Sequence, residues 1–363
     1  MEKIKAAIAG LGRIASLLEE DSLREKPCTH AGAIAANDDC VLAAGCDIDE
    51  ERRRLFAEKW QVPVYSCAAE MLREQTPQIF VIATHPDSHY FYCRLAAQYR
   101  IPVVICEKPL ADNIKEARKI ARLCEGGGPV IITNHERRYS RDYIRAKEIL
   151  EGGKLGSVLG VRACLYMGKT TRLLDQLWHD GTHLADAIMF LSGARLKHRR
   201  SFGAKLKSKN GTAWLEGFLQ KEEENFDRGV SRSKDSNSAL APVILEIGTG
   251  LDYCNPALIP VIIEIGTGRD YLVFEIEFSC ERGRLRIGNG VFEVFESVPS
   301  PYAEKFRSLK NTGEVFSGPT GYFENMLKDA VSCVRDSSRK PRSGAPDGLR
   351  VIEYLNSVKP WRR

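Results

Sequence analysis

Five short, almost unbroken apolar runs, Ile4–Ala9, Val41–Cys46, Ile79–Ala83, Val103–Cys106 and Val130–Asn134, alternate with stretches of helical character. Strands that are apolar on both sides have no solvent face, so they belong in a sheet covered above and below. The intervening segments Asp49–Trp60, His89–Tyr99 and Asn113–Cys124 supply helices for that cover. Asn113 is placed to cap its helix, and Gly126-Gly127-Gly128-Pro129 to stop it. The rhythm predicts an α/β, doubly wound domain over residues 1–133.

The pattern changes after Asn134. A helix at Arg141–Glu151, a strand at Val158–Met167 and a helix at Asp180–Leu191 come first. Segments without helical period then run from Lys197 to Ser297, and helices follow at Tyr322–Ser337 and Gly348–Val358. An α+β domain over 134–363 with a large, mostly antiparallel open sheet is expected, its last helices packing back on the first domain. Gln220–Ser238 reads as a polar loop. Val243–Tyr253 nearly repeats as Val261–Tyr271, which suggests two adjacent strands and carries no chemistry.

Composition narrows the class. A chain of 363 residues suits two domains, and 43% hydrophobic with 28% charged residues is ordinary for a soluble enzyme. No apolar run approaches bilayer length, and Met1–Lys5 leads into a strand without a secretory segment, so a cytoplasmic location and no membrane are expected. The eleven cysteines are scattered without a C-x-x-C pair, and Cys46, Cys106 and Cys164 lie in or beside apolar runs; they read as reduced, mostly buried thiols. The net charge is only +5, with one basic stretch: Arg195, Lys197, Arg199, Arg200, Lys205, Lys207 and Lys209. It lacks interleaved aromatics beyond Phe202, so a solvated strand pair or the mouth of an anionic-substrate site is expected rather than a nucleic-acid surface.

The chemistry-bearing residues sit at strand ends. Gly10-Leu11-Gly12-Arg13-Ile14-Ala15 follows the first strand and opens a helix, where glycines let backbone N–H groups approach a diphosphate. Asp47 ends the second strand and can accept from ribose hydroxyls, favouring NAD over NADP; Arg52-Arg53-Arg54 either holds a phosphate or forms an exposed helix face. Thr84, His85 and His89 follow the third long strand as further cofactor candidates, with His85 equally open to a packing role. Glu107-Lys108-Pro109 closes the fourth, where a pinned lysine beside a nicotinamide is a candidate for proton relay. Later, His183 and Asp186 lie three apart, so that a carboxylate could orient the imidazole, unless Asp180 is only a cap and His183 structural.

In this order the motifs resemble the Gfo/Idh/MocA oxidoreductase family, which includes glucose–fructose oxidoreductase and inositol dehydrogenase. The likeness runs through G-x-G-x-x-A, the acidic end of strand two, A-T-x-P-x-x-H, E-K-P and G-x-H-x-x-D. It implies that residues 1–133 form a Rossmann NAD(P)-binding domain, that Lys108 and His183 are catalytic, that hydride moves between NAD(P) and a sugar or polyol carbon, and that the open sheet builds a homodimer or homotetramer. Relatives often carry Asp four residues before the catalytic histidine; here His179 stands there and Asp180 follows, so either could support His183. Leu17–Thr29 separates the glycine motif from His30-Ala31, which usually lie closer. Arg137 or Arg138 faces substrate or braces the domain seam, and Tyr166 with His179 are further substrate candidates.

Three other readings remain open on the sequence. His85-x-x-x-His89 and His179-x-x-x-His183 have metal-ligand spacing and would suit a hydrolase. A non-catalytic NAD or sugar sensor, and a redox-neutral use of bound NAD, are possible on the same fold. The first expectation is that no metal is needed.

Overall fold

The computed structural model describes residues 2–168, 171–209, 211–221 and 258–358. Its first sheet holds β1 (Ile4–Ala9), β2 (Cys40–Cys46), β3 (Val64–Tyr65), β4 (Ile79–Ile82), β5 (Val103–Cys106) and β6 (Val130–Thr133). All pairs are parallel, and the order is β3-β2-β1-β4-β5-β6. The order reverses between β1 and β4, which opens a crevice at the carboxyl ends of those two strands. The α/β class expected from the buried runs is what the chain adopts.

Helices α1 (His30–Ala35), α2 (Glu50–Trp60), α3 (Ala68–Gln75), α4 (His89–Gln98) and α5 (Ile114–Leu123) connect these strands. Asn113 caps α5 by accepting from the Glu116 N–H at 3.0 Å, and Asp49 caps α2 by accepting from Arg52 at 3.1 Å. The helix expected directly after Gly12 is broken. One turn forms, then Leu17–Thr29 loops out, and α1 resumes the path. His30 N–H donates to Ile14 O at 3.2 Å and Ala31 N–H to Ala15 O at 2.9 Å, bridging the break. The excursion is therefore spliced into a helix whose hydrogen-bond ladder continues across it.

The second sheet contains β7 (Val158–Tyr166), β8 (Arg195–Gly203), β9 (Gly211–Gln220), β10 (Leu258–Thr267), β11 (Val273–Cys280), β12 (Gly283–Gly288), β13 (Val291–Pro299) and β14 (Arg307–Asn311). Its order is β14-β13-β12-β11-β7-β10-β9-β8, antiparallel throughout except for the β7–β10 pair. Strand period two puts Val161, Ala163, Leu165, Phe274, Ile276 and Phe278 on one face, buried under helices α6 (Arg141–Glu151), α7 (Leu173–His179) and α8 (Gly181–Ser192). Helix α7 went unanticipated. The first four residues of the basic stretch lie on the edge strand β8, where Arg200 pairs with Glu216, and Lys205, Lys207 and Lys209 follow it. The second copy of the duplication forms β10; the first copy, and most of Gln220–Ser238, lie outside the described residues.

Two closing helices join the halves. In α9 (Tyr322–Arg335), Phe323, Met326, Leu327, Ala330 and Val331 follow helical spacing and pack on Ile8, Val81 and Ile105 of the first sheet. Burial of Phe323 alone is worth about 1.5–3 kcal/mol. Helix α10 (Ala345–Ser357) sends Ala345 and Ile352 into the core on the sheet's other face, and Val351, Tyr354 and Leu355 into the second sheet's core. The ten described cysteines are all free. Among the described residues, no helix is long and apolar enough to cross a membrane.

Candidate active site

Gly10, Asp47, Thr84 and Lys108 emerge from the carboxyl ends of β1, β2, β4 and β5, along one rim of the first sheet. Gly10 has φ +85°, and a Cβ there would lie 2.6 Å from Ala83 O, so the turn closes tightly on the strand beside it. Gly12 differs: an added Cβ would meet nothing nearer than Arg52 Nη1 at 3.9 Å. Among the described residues, the N–H groups of Gly12, Arg13 and Ile14 donate to no protein acceptor. Open space faced by unpaired donors at a helical turn fits a dinucleotide diphosphate.

Asp47 is buried beside that turn. One oxygen accepts from Leu11 N–H at 2.7 Å and the other from Asp49 N–H at 2.9 Å, which fixes the carboxylate and leaves lone pairs for ribose hydroxyls. Of the three arginines, Arg53 donates to the carbonyls of Asp47 and Ile48, and Arg54 pairs with Glu51 and Glu58. Arg52 stands 3.7 Å from Asp47 Oδ2, on the rim. Thr84 is half-buried, its hydroxyl accepting from Ser88, and His85 is exposed.

His89 is a correction. It is fully buried, with Nδ1 3.1 Å from Pro109 O and Nε2 3.2 Å from Thr84 O. Burial drives its pKa down against those carbonyl contacts; the ring is wedged between the Lys108 loop and the β4 turn, and in its neutral form its single N–H donates to one side only. It faces neither cofactor nor metal.

Glu107 and Lys108 divide their work. Glu107 is buried, accepts from Asn134 Nδ2 at 2.6 Å and lies 2.8 Å from His30 Nε2. Burial alone would raise its carboxyl; His30, Asn134 and Lys108 outweigh burial and hold it below the ordinary value. The fixed Glu107 also accepts from the Lys108 N–H at 3.2 Å. Lys108 Nζ reaches forward to the carbonyl of His179 at 3.0 Å, just before α8. Thr182 Oγ1 donates to the same carbonyl at 2.8 Å.

That bond brings Lys108 to the start of the helix that carries His183. The His183 ring is half-buried, and its Nδ1 is out of solvent without a partner among the described residues. Burial first, then the charges of Lys108 and Arg137, hold its pKa well below the ordinary histidine value. A neutral imidazole is poised to accept a proton.

Its expected supports are elsewhere. The His179 ring is 77% exposed and lies 3.1 Å from Asp180 Oδ1, so residue 179 acts through its carbonyl. Asp180 makes no side-chain cap to α8. Asp186 turns away from His183: it accepts from Arg138 Nε at 2.9 Å and lies 3.0 Å from His135 Nδ1. Burial would raise its carboxyl, but Arg138 and His135 lower it to about 2. Arg138, also 3.1 Å from Asp347, is thereby a seam brace and not a substrate contact. Tyr166 is likewise corrected. Alternation along β7 puts it on the face opposite Leu165 and α8, where the Arg269 guanidinium sits 3.8 Å over its ring. Arg137 stays near His183.

The paired histidines do not converge as metal ligands. His85 is exposed while both ring nitrogens of His89 lie against main-chain carbonyls; the His179 ring is exposed while His183 has its Nδ1 out of solvent. Among the described residues no group of three histidine, cysteine or acidic side chains could hold a metal ion. The hydrolase reading is unsupported.

A model of the Gfo/Idh/MocA family, described as an oxidoreductase family with an NAD-binding Rossmann fold, matches residues 4–135. Over those residues the chain is similar to that family. The myo-inositol 2-dehydrogenase of Thermotoga maritima is 25% identical over 157 residues, 42% of this chain and 42% of its own length. An oxidoreductase of Schizosaccharomyces pombe is 26% identical over 228 residues, 60% of this chain and 58% of its own. The chain thus spans about half the length of these curated relatives. A dehydrogenase of Bordetella pertussis, solved with NADH and UDP-GlcNAcA, superposes with a TM-score of 0.67 at 17% identity, covering 98% of this chain and 95% of that one. That likeness extends the shared fold beyond the Gfo/Idh/MocA nucleotide domain to the second sheet.

Sequence reasoning gave no role to Asn134 or Thr182 and read His30 only as a displaced motif residue. The polar ends of strand and helix at 134 and 182 were visible, but their partners Glu107 and the His179 carbonyl are distant in sequence.

Proposed function

We propose that this chain is an NAD-dependent dehydrogenase, or the reverse reductase, acting on a secondary alcohol or ketone of a sugar, polyol or sugar derivative. One observation carries the reading: Lys108 Nζ lies on the carbonyl that precedes α8, bringing an ammonium to the helix of a neutral His183, on the rim that bears the glycine turn. Gly10, Gly12, Arg13 and Ile14 would receive the diphosphate, Asp47 the adenosine ribose, and Thr84 with His85 would border the nicotinamide half. Bound NAD supplies the hydride acceptor.

His183 takes the hydroxyl proton as general base. Lys108 donates a hydrogen bond to the same oxygen and stabilises the charge that develops there. Glu107, held by His30 and Asn134, positions Lys108 through its main-chain N–H. The Asp47 carboxylate disfavours a 2′-phosphate, which supports NAD over NADP. Residues 1–133 would form the nucleotide domain and 134–363 the substrate domain. The open face of the second sheet, carrying Trp214, Phe218 and Ile262, is the surface on which we expect two copies to pair.

The names of the relatives support the substrate class: myo-inositol for one, a UDP-sugar bound to another. The test is a panel of polyols, sugars, sugar acids and nucleotide sugars, with NAD reduction followed by the absorbance of the reduced cofactor. Turnover of at least one member supports the reading. NAD binding without turnover of any member would favour a sensor or a redox-neutral enzyme.

A further inference from the structure

The reaction above makes no use of Arg137. This residue lies on the short turn Glu136–Tyr139, between His135 and Arg138, both of which address Asp186. Asp186 sits on α8 one turn after His183, so the turn packs beside the proposed base. The guanidinium of Arg137 lies 3.8 Å over the Phe274 ring and 5.3 Å from the centroid of Tyr143.

Its hydrogen bonding is far from complete. Nη2 donates to Asn289 Oδ1 at 3.3 Å, while Nε is buried without an acceptor. Among the described residues Arg137 makes no ion pair, whereas Arg138 beside it engages both Asp186 and Asp347. Tyr143, only 1% exposed, lies beneath Arg137, whose guanidinium is the charge its hydroxyl feels most. Two aromatic rings cover part of a half-exposed cation, and among the described residues no carboxylate pairs with it. A guanidinium held in place with donors to spare is suited to receive an anion. Lys108 likewise makes no ion pair among the described residues, but its charge is answered by the substrate oxygen in the reaction proposed above.

We infer that the substrate carries a fixed anionic group, a carboxylate or phosphate, which Arg137 receives while the alcohol carbon meets Lys108 and His183. The substrate class is thereby an acidic sugar. This rests on the dehydrogenase reading and adds to it the charge of the molecule turned over. The influence of Arg137 on the His183 imidazole, second only to that of Lys108 among its charged neighbours, agrees with the two ends of one small molecule spanning both. Arginine is suited to the task because its planar fork meets two anionic oxygens at once.

The experiment measures binding by calorimetry to the full chain preloaded with NADH, which does not oxidise an alcohol. The probes are D-glucose, D-glucuronate and a hexose phosphate, so the two charged arms separate carboxylate from phosphate on one kind of ring. The expected result is that one charged probe binds at least about tenfold tighter than glucose, the scale of a hydrogen bond to a charged group. In Arg137→Gln that preference disappears while NADH affinity is kept; Arg137→Lys keeps part of it. Equal binding of all three probes, no binding of any, or a preference that survives in Arg137→Gln overturns the inference. Turnover of neutral polyols without an anion preference would defeat this inference alone. An anion preference without any alcohol oxidation would defeat the dehydrogenase reading alone.

Discussion

The side-chain nitrogen of Lys108 and the main-chain oxygen of His179 are joined across 3.0 Å, although 71 residues separate them in the chain. The bond links the end of β5 to the last residue of α7, two before α8, and fixes where a positive charge stands relative to the helix of His183. Because the acceptor is a carbonyl, any residue at 179 can supply it. His179→Ala should therefore change turnover by no more than about threefold, the range of a surface substitution. Steady-state kinetics of the variant checks this; a hundredfold loss would give the exposed imidazole a role in the chemistry.

His183 should be neutral across the working pH range. Its folded pKa lies below the ordinary value, so the unfolded chain binds more protons in the interval between the two. Stability drawn from this group is present above the ordinary histidine pKa and falls as pH drops through that interval. The acid limb of kcat/KM should sit below the ordinary histidine range, and Arg137→Gln should move it upward by removing a neighbouring charge. Proton NMR titration of the His183 ring measures the same quantity directly; a value at or above the ordinary one would contradict the assignment.

Asp186→Asn should be among the most damaging single changes. It leaves Arg138 buried against Asp347 alone, and breaking such a pair costs about 3–5 kcal/mol. With its carboxyl lowered to about 2, Asp186 contributes stability above the ordinary carboxylate range that is lost as pH falls toward that value. Urea unfolding of the variant at neutral pH is the check, and a loss under about 1 kcal/mol would show that the pair is dispensable.

The two glycines of the cofactor turn should fail differently. Gly10→Ala forces φ +85° on an L residue and drives a methyl into Ala83 O, so about 1–2 kcal/mol of stability goes before the clash is counted. Gly12→Ala has room in the protein itself and should melt normally. It fills the space proposed for the diphosphate, so NADH affinity should drop at least about tenfold. Thermal unfolding and NADH titration of both variants separate these outcomes; normal NADH binding in Gly12→Ala would remove the diphosphate from this turn.

Much of the first domain was legible because its information is local. Continuous apolar runs such as Ile79–Ile82 can only be strands covered on both faces, and Asn113 and Asp49 cap helices from the next turn. The splice at Leu17–Thr29 was visible as excess length, but the ladder from Ile14 to His30 that bridges it was not. The site's supports were harder to read because their partners are remote. Asp186 lies three residues from His183 yet belongs to Arg138, 48 residues earlier. The face of Tyr166 followed from strand register with β10 and β11, which no local pattern in β7 reveals. His89 shared a motif with cofactor contacts but is spent on main-chain carbonyls.

The account stands on residues 108 and 183 acting on one substrate oxygen, and a double-mutant cycle on turnover measures that most directly. With an alcohol from the panel, Lys108→Ala and His183→Ala should each lose at least about a hundredfold in kcat, with NADH affinity nearly intact. The double variant should lose little beyond the worse single one, as groups serving one step do. Near-normal turnover in either single variant, or losses that simply multiply, would contradict it.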